Sequence, residues 1–277
     1  MRLVDAHTHF YPDDLAVSIT RSLHRDGMFE ACCDGTSRDL RRFMNLDGVD
    51  VSVNLPVATK KEQVRGINRK MIGFNRGSPG DVLCFGSMHP DFGGAGEVRE
   101  EIHFLASNGI RGIKLHPEYQ RFYPDDPRLF DIYWACREYG LVIAFHAGFD
   151  FPYPDQIRAV PERLKEVTKI DGLKLIFAHL GGYQMWDDVL KHLVGTSAYF
   201  DTAFISTIKT SELLEVVRRH GGDKILFGSD FPWARASEIR KIIEGAFENR
   251  EIRDGIFHKN AEKLLGVVEP IGKGEET

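Results

Sequence analysis

The sequence predicts one α/β domain, a TIM (β/α)8 barrel slightly elaborated after its first strand, and three observations lead there. The length of 277 residues suits a barrel, which takes about 250. Short, near-continuous runs of Val, Ile, Leu and Phe recur at fairly even spacing, as in strands buried on both faces. Stretches with helical periodicity lie between them. Strand–helix alternation repeated eight times implies parallel strands.

The predicted strands are 2–6, 50–55, 82–87, 111–115, 141–145, 173–178, 198–201 and 224–228. Predicted helices cover 97–107, with Val98, Ile102 and Leu105 on one face, then 127–137, 162–168, 186–194, 211–219 and 238–247. Pro127 stands at a favoured first helical position. Asn108-Gly109, Tyr139-Gly140 and His220-Gly221-Gly222 are stop signals just ahead of the next strand. An open doubly wound sheet is the alternative, but the count of eight favours the barrel. No GxGxxG or GxxxxGK[ST] loop supports a nucleotide-binding fold. Segment 12–45 is longer than a normal strand–helix link and helical in pattern, so it is expected to form a lid insertion. The polar tail 268–277 is expected to fray. No internal repeat or linker divides the domain, 1–277.

Composition narrows the function. Apolar residues make up 42% and charged residues 28%, ordinary for a globular protein. The net charge of −5, with Lys and Arg scattered among Asp and Glu, argues against nucleic acid or an anionic membrane as partner. A small-molecule substrate is expected, and self-association into a homo-oligomer is left open. Cys32, Cys33, Cys84 and Cys136 form no CxxC pair or disulfide framework. No apolar signal segment precedes the Asp5 motif, and no run of about 18 apolar residues occurs, so a cytoplasmic enzyme is expected.

The informative signal is where the eleven histidines fall. His7 and His9 follow the first predicted strand in Asp-Ala-His-Thr-His, and side chains two apart on a strand share a face. His116 follows the fourth strand in Lys-Leu-His-Pro, His146 the fifth in Phe-His-Ala-Gly, and His179 the sixth in Ala-His-Leu-Gly-Gly. Asp230 follows the eighth in Gly-Ser-Asp-Phe-Pro-Trp. Singly, each is better read as a structural hydrogen-bonding group. Together they converge, because a barrel brings all its strand ends to one mouth. The result is a nitrogen- and oxygen-rich set that suits a divalent metal, zinc first, with Mn, Fe, Co or Ni also compatible. His24, His103, His192, His220 and His258 lie in helical or polar stretches and read as surface or capping groups. His89 is equally compatible with lining the mouth or with a structural role.

This ordered set, spanning Asp5 to Trp233, resembles the amidohydrolase superfamily, most closely its amidohydrolase-2 branch, which includes aminocarboxymuconate-semialdehyde decarboxylase-like enzymes. The resemblance implies metal ligands at His7, His9 and His146. It implies a ligand and proton shuttle at Asp230, and a catalytic residue or second-metal ligand at His179. Two-metal relatives carry a bridging carboxylated lysine or glutamate after the fourth strand. Here Lys114 and His116 both stand there, two apart, and either would reach the metal. Lys114 would alternatively hold a substrate carboxylate. His116 cannot bridge two ions well, so one tightly held metal is expected, with a second weak or absent.

Three functions follow. The first is hydrolysis of an amide, lactone or ester, in which a bound divalent ion brings the pKa of its water to about 7. Asp230 would shuttle the proton and His179 would stabilise the oxyanion. The second is non-oxidative decarboxylation of an unsaturated or aromatic carboxylic acid with nearly the same residues. The third, a non-catalytic ligand-binding barrel, ranks last because every expected position is filled. Tyr119, Phe122, Tyr123, Phe149, Phe151, Tyr153 and Trp233 lie in loops beyond strands, where most are expected to pack the rim and some, with Trp233, to contact substrate. Arg121 and Arg235 are candidate carboxylate clamps.

Overall fold

A computed structural model describes residues 2–24 and 30–266. The tail 268–277 and residues 25–29 of the expected lid lie outside the described residues.

Among the described residues nine strands form, all paired in parallel: β1 (Val4–Thr8), β2 (Val51–Asn54), β3 (Val82–Cys84), β4 (Gly86–Ser87), β5 (Gly112–Leu115), β6 (Val142–Phe145), β7 (Lys174–Phe177), β8 (Tyr199–Asp201) and β9 (Ile225–Leu226). They run in chain order, β1-β2-β3 and then β4 through β9. β3 and β4 are halves of the single predicted strand 82–87, interrupted at Phe85, whose N–H still donates to the Asn54 carbonyl at 2.9 Å. The circle closes where the Ala6 N–H donates to the Phe227 carbonyl (2.8 Å) and Thr8 bridges to Phe231. The predicted eight-stranded barrel is therefore the observed architecture.

Alternation along the strands sorts the core into two layers. Val142, Ala144, Ile176 and Leu226 pack with Val4, Val51 and Val53 inside the barrel. Their sequence neighbours Ile143, Phe145, Leu175, Phe177, Ile225 and Phe227 pack outward against the helices. Ala261 and Leu265, from helix Asn260–Leu265, join the inner layer and close the end of the barrel away from the mouth.

The predicted helices appear as Ala95–Ser107, Phe130–Tyr139, Pro161–Val167, Trp186–His192, Thr210–His220 and Ala236–Ala246. Pro127 opens a short 3-10 turn, Pro127–Leu129, ahead of its helix. Helix Val64–Gly77 has no counterpart among the predicted elements. Within the 12–45 segment, helix Asp13–His24 forms, and helix Ser37–Asp47 begins at a Thr36 capping box with Asp39 and stops at Gly48, which is left-handed (φ 71°). Cys84 and Cys136 are buried free thiols. Of the surface and capping alternatives expected for His220, the surface one is corrected, since its Nδ1 accepts the Gly195 N–H at 3.2 Å. It is buried, its ring stacks on Phe200 at 3.8 Å, and its Nε2 bonds to the Ala198 carbonyl at 2.9 Å, because its helix ends directly against β8. No helix among the described residues is long and apolar enough to cross a membrane.

Candidate active site

The polar side chains sit where the strands end. The prediction stopped the first strand at Ala6, where apolar character gives out. β1 instead runs on to Thr8, whose hydroxyl donates to the Val53 carbonyl at 2.9 Å. His7 is thus inside the strand and His9 just past it. The β1–β2 register shifts between Asp5 and Thr8, the kind of bulge that re-aims side chains beside active sites. Lys114 lies in β5, His116 and His146 directly follow β5 and β6, and Asp201 ends β8. His179 and Asp230 both adopt left-handed backbone (φ 57° and 73°), a strained conformation for residues with a Cβ that gathers at functional sites.

The hydrogen bonds assign the imidazole protons. His7 Nδ1 is 2.8 Å from a carboxylate oxygen of Asp201, and His9 Nδ1 is 2.9 Å from the Leu55 carbonyl. Those acceptors can take only N–H, so each Nδ1 carries the hydrogen and each neutral ring presents a lone pair at Nε2. The two Nε2 atoms face one another at 3.2 Å, with Asp230 Oδ1 at 3.4 Å from His7 and 3.2 Å from His9. Three electron-pair donors thus converge within 4.8 Å. A shared cation relieves that repulsion, so the residues present fit the divalent metal expected there.

A relay runs around the mouth. His179 Nδ1 lies 2.9 Å from the Ala203 carbonyl and so donates to it. Its Nε2 then accepts from His146 Nδ1 at 3.2 Å, which leaves His146 Nε2 as a lone pair. That atom is buried and has no hydrogen-bond partner among the described residues. His146 converges with His116 and Asp150, and its ring reaches the floor through His179. Gly148 (φ 86°) holds this loop: a Cβ there would lie 2.2 Å from the Tyr183 N, so only glycine lets the loops after β6 and β7 meet.

Burial and charge set the protonation states. Burial pushes His7 down to about 4, helped by the Lys114 ammonium. Burial likewise brings Lys114 down to about 8, against the pull of Asp201 and Asp230. Burial works against ionising Asp230, yet the positive charge that His7, His9 and His179 carry when protonated holds its carboxyl well below the usual range, and in the neutral tautomers a bound cation would take over that role. Asp201 is also held low, burial being outweighed by His7. Burial pushes Asp5, which accepts N–H bonds from His7 and Ser229, up to about 7.

A cavity of about 670 Å³ opens above this floor. Lys114 lines it with its Nζ 3.5 Å from His7 Nε2, so the fourth-strand lysine reaches the centre. Tyr119, Phe149, Phe151 and Trp233 line it too, as do Leu15 and Ile19 from helix Asp13–His24. Phe122 is buried in the core instead, and Tyr123 lies under the Arg163 guanidinium at 4.2 Å. Arg121 is not a clamp: it ends the short helix Pro117–Gln120 in left-handed backbone, is exposed, and does not line the cavity. Arg235 is likewise engaged elsewhere, paired with Asp47. His89 takes the structural role, accepting the Asp91 N–H at 3.2 Å. The sequence reading passed over Asp150, Asp201 and Glu118. Asp201 carried a usable signal, a carboxylate closing the apolar strand Ala-Tyr-Phe-Asp.

The family model described as Amidohydrolase matches residues 4–267. The chain belongs to the amidohydrolase family. It is a metal-dependent enzyme of that family, a hydrolase or a carboxy-lyase. A search of curated proteins finds no match. Among solved structures, this amidohydrolase is similar to an uncharacterized TIM-barrel protein from Bordetella bronchiseptica (16% identity, TM-score 0.73, covering 96% of this chain and 99% of that one). It is also similar to 2,6-dihydroxybenzoate decarboxylase from Rhizobium (16%, 0.69, 96% and 99%). A third is 5-carboxyvanillate decarboxylase from Novosphingobium aromaticivorans, complexed with manganese and 4-hydroxy-3-methoxy-5-nitrobenzoic acid (14%, 0.70, 96% and 96%). At such identities the likeness concerns the fold.

Proposed function

We propose that the protein is a metal-dependent, non-oxidative decarboxylase of a small aromatic or unsaturated carboxylic acid. The observation that carries this reading is the contrast inside one cavity: aromatic and aliphatic walls stand over a floor of histidine nitrogens, a carboxylate and a buried ammonium. A planar acid fits walls of that kind. Solved proteins of similar fold that carry the name decarboxylase support the choice. Hydrolysis, the first expectation from sequence, takes second place because it gives the aromatic walls no role.

His7, His9 and Asp230 would hold the ion, zinc by donor type or the manganese that a similar structure contains. When bound, it supplies Lewis-acid polarisation of a substrate oxygen. Lys114 would orient the substrate by its charge from beside His7. The walls exclude water from a carboxylate that is to leave as neutral CO2. When the bond between carboxylate and carbon breaks, the electron pair stays on carbon and must take a proton. Asp230, ionised at rest, would accept that proton from water and deliver it to carbon, and His179 is positioned at the same floor. Asp201 holds the His7 proton on Nδ1 and keeps Nε2 free. Helix Asp13–His24 would act as the lid.

The test is a panel of hydroxylated benzoates and unsaturated acids, with CO2 release measured beside a panel of amides, lactones and esters. CO2 from one acid, with no hydrolysis, is the expected result. Turnover of an ester or lactone alone would transfer the assignment to hydrolysis.

A further inference from the structure

The cavity above the floor has two kinds of wall. Its aromatic side chains come mostly from the loops after β5 to β9, as Tyr119, Phe149, Phe151 and Trp233 do. Its Leu, Ile, Val and Met side chains all come from the segments after β1 and β2. A planar acid on the floor leans on the aromatic side, which leaves the aliphatic side without a part in the reaction above.

Residue spacing builds that aliphatic side from two helices. Leu15 and Ile19, four apart, share a face of helix Asp13–His24, and Ile67 and Met71, also four apart, share a face of helix Val64–Gly77. All four line the cavity. Ile67 and Met71 also rest on the core, but Leu15 is 47% exposed. Gly66, next to Ile67, is exposed on the same wall. A glycine inside a helix weakens it relative to alanine, because the unfolded chain is freer there. A Cβ at Gly66 would meet nothing within 4 Å, so close packing does not demand the glycine. A longer side chain would extend into that open space at the cavity wall. Ser22 and Lys70, both exposed, also line the cavity and give this arm a polar outer edge.

Size points the same way. The cavity measures about 670 Å³. Even if every heavy atom is allowed the ~30 Å³ that a water molecule takes up in the liquid, an acid of about ten heavy atoms fills less than half of it. We propose that the substrate acid carries a straight apolar tail of several carbons, which lies between helix Asp13–His24 and helix Val64–Gly77 while its carboxylate stands at the floor, and that Gly66 is left bare to admit it. The inference rests on the proposed binding of an aromatic or unsaturated acid. The tail covers Leu15 and so draws helix Asp13–His24 over the mouth, which ties selection for length to the exclusion of water. A tail that passes Ser22 and Lys70 returns to solvent, so the gain per carbon stops there.

The test uses the metal-loaded full chain and 2-hydroxybenzoates with a straight alkyl group para to the carboxylate, from none to octyl. Titration calorimetry gives Kd for each acid, and CO2 release is followed separately. Affinity is expected to tighten by up to about fourfold per carbon, the value of a buried methylene, and then to level off. Gly66→Leu is expected to bring the Kd values of the unsubstituted and hexyl acids close together. Gly73→Leu, on the same helix but outside the cavity wall, is expected to keep the wild-type dependence on length. Each change replaces a helix-interior glycine whose Cβ position is open, so both variants are expected to fold, with melting temperature as the check. A length effect on binding without CO2 would support the inference and count against the reaction alone. CO2 from the unsubstituted acid, with affinity flat or falling as the chain grows, would overturn the inference and spare the reaction. The same holds if the two glycine variants behave alike, and no binding at any length would overturn both.

Discussion

The two ends of this barrel are built by the same strands and could hardly differ more. At the closed end Val4, Val51, Val142 and Leu226 pack against Ala261 and Leu265 of helix Asn260–Leu265, and the charges beside them are paired, Arg2 with Glu262 at 2.6 Å and Arg111 with the Leu265 carbonyl. At the mouth the barrel's strand ends carry His7, Lys114 and Asp201 and, directly after β5 and β6, His116 and His146, all buried. The change takes place within about four residues of each strand. It teaches that the apolar end supplies the folding free energy that lets the mouth hold strained backbone at His179 and Asp230 and unpaired donors at His116 and His146. If so, changes at the mouth should cost function and spare the fold, and changes at the closed end should do the reverse.

The largest effect is expected from replacing His7 and His9 together with Asn. Bound metal at the floor and all turnover should disappear while the circular dichroism spectrum stays that of wild type. Full floor occupancy in the folded variant would break the comparison. Next comes Asp230→Asn, which keeps the shape but cannot move a proton. Measured at saturating metal, turnover should fall by about 10²–10⁴-fold. An active variant would move the proton to His179. Asp201→Asn sharpens the picture, because it removes the acceptor that fixes the His7 proton. Metal affinity at the floor should weaken by about 10–100-fold in a competition titration, with little change in melting temperature.

At the other end Leu265→Ala should cost about 2–5 kcal/mol in denaturant unfolding, with turnover per folded molecule unchanged. A loss of activity at equal folded fraction would mean that the two ends are coupled. The smallest effect concerns His220, outside the mouth. Burial lowers its imidazole from 6.5 to about 4, so between those values the unfolded chain binds a proton that the folded chain does not. Stability should therefore rise with pH through that window and be lost as pH falls from 6.5 toward 4, by at most about 1.4 kcal/mol per pH unit. His220→Gln should lie lower at pH 7 and fall less steeply. Parallel stability curves for the two proteins would contradict this.

The closed end was the more legible of the two in the sequence. Runs of branched apolar residues at regular spacing announce strands buried on both faces, and all eight predicted segments became strands. The ladder positions inside the mouth are less legible, because polarity there imitates a strand's end. His7 and Thr8 were thus read as lying beyond β1 although they belong to it. The ring of histidines and Asp230 was visible as residues after strands, since a barrel's geometry makes that position meaningful. The place of Asp150 beside His116 and His146 was not, because it depends on ring stacking between the two histidines and on the reach of the loop after β6. Arg121 shows the converse error: a cation two residues past a pocket aromatic was read as a clamp, and the left-handed turn that sends it to solvent leaves no mark in composition. Helix Val64–Gly77 escaped although Val64, Ile67, Met71 and Ile72 keep a helical spacing, because Arg and Lys residues and two glycines fill its exposed face and dilute the apolar signal.

The central claim is that the polar mouth uses a bound ion to release CO2 from an acid held by the aromatic walls. The most direct test follows CO2 from a panel of hydroxylated benzoates and unsaturated acids, with metal-loaded protein, chelator-stripped protein and stripped protein reloaded with Zn2+ or Mn2+. The account predicts CO2 release from at least one acid in the loaded and reloaded samples and none in the stripped one. CO2 release that survives complete metal removal, or hydrolysis of amides, lactones or esters with no CO2 from any acid, would contradict it.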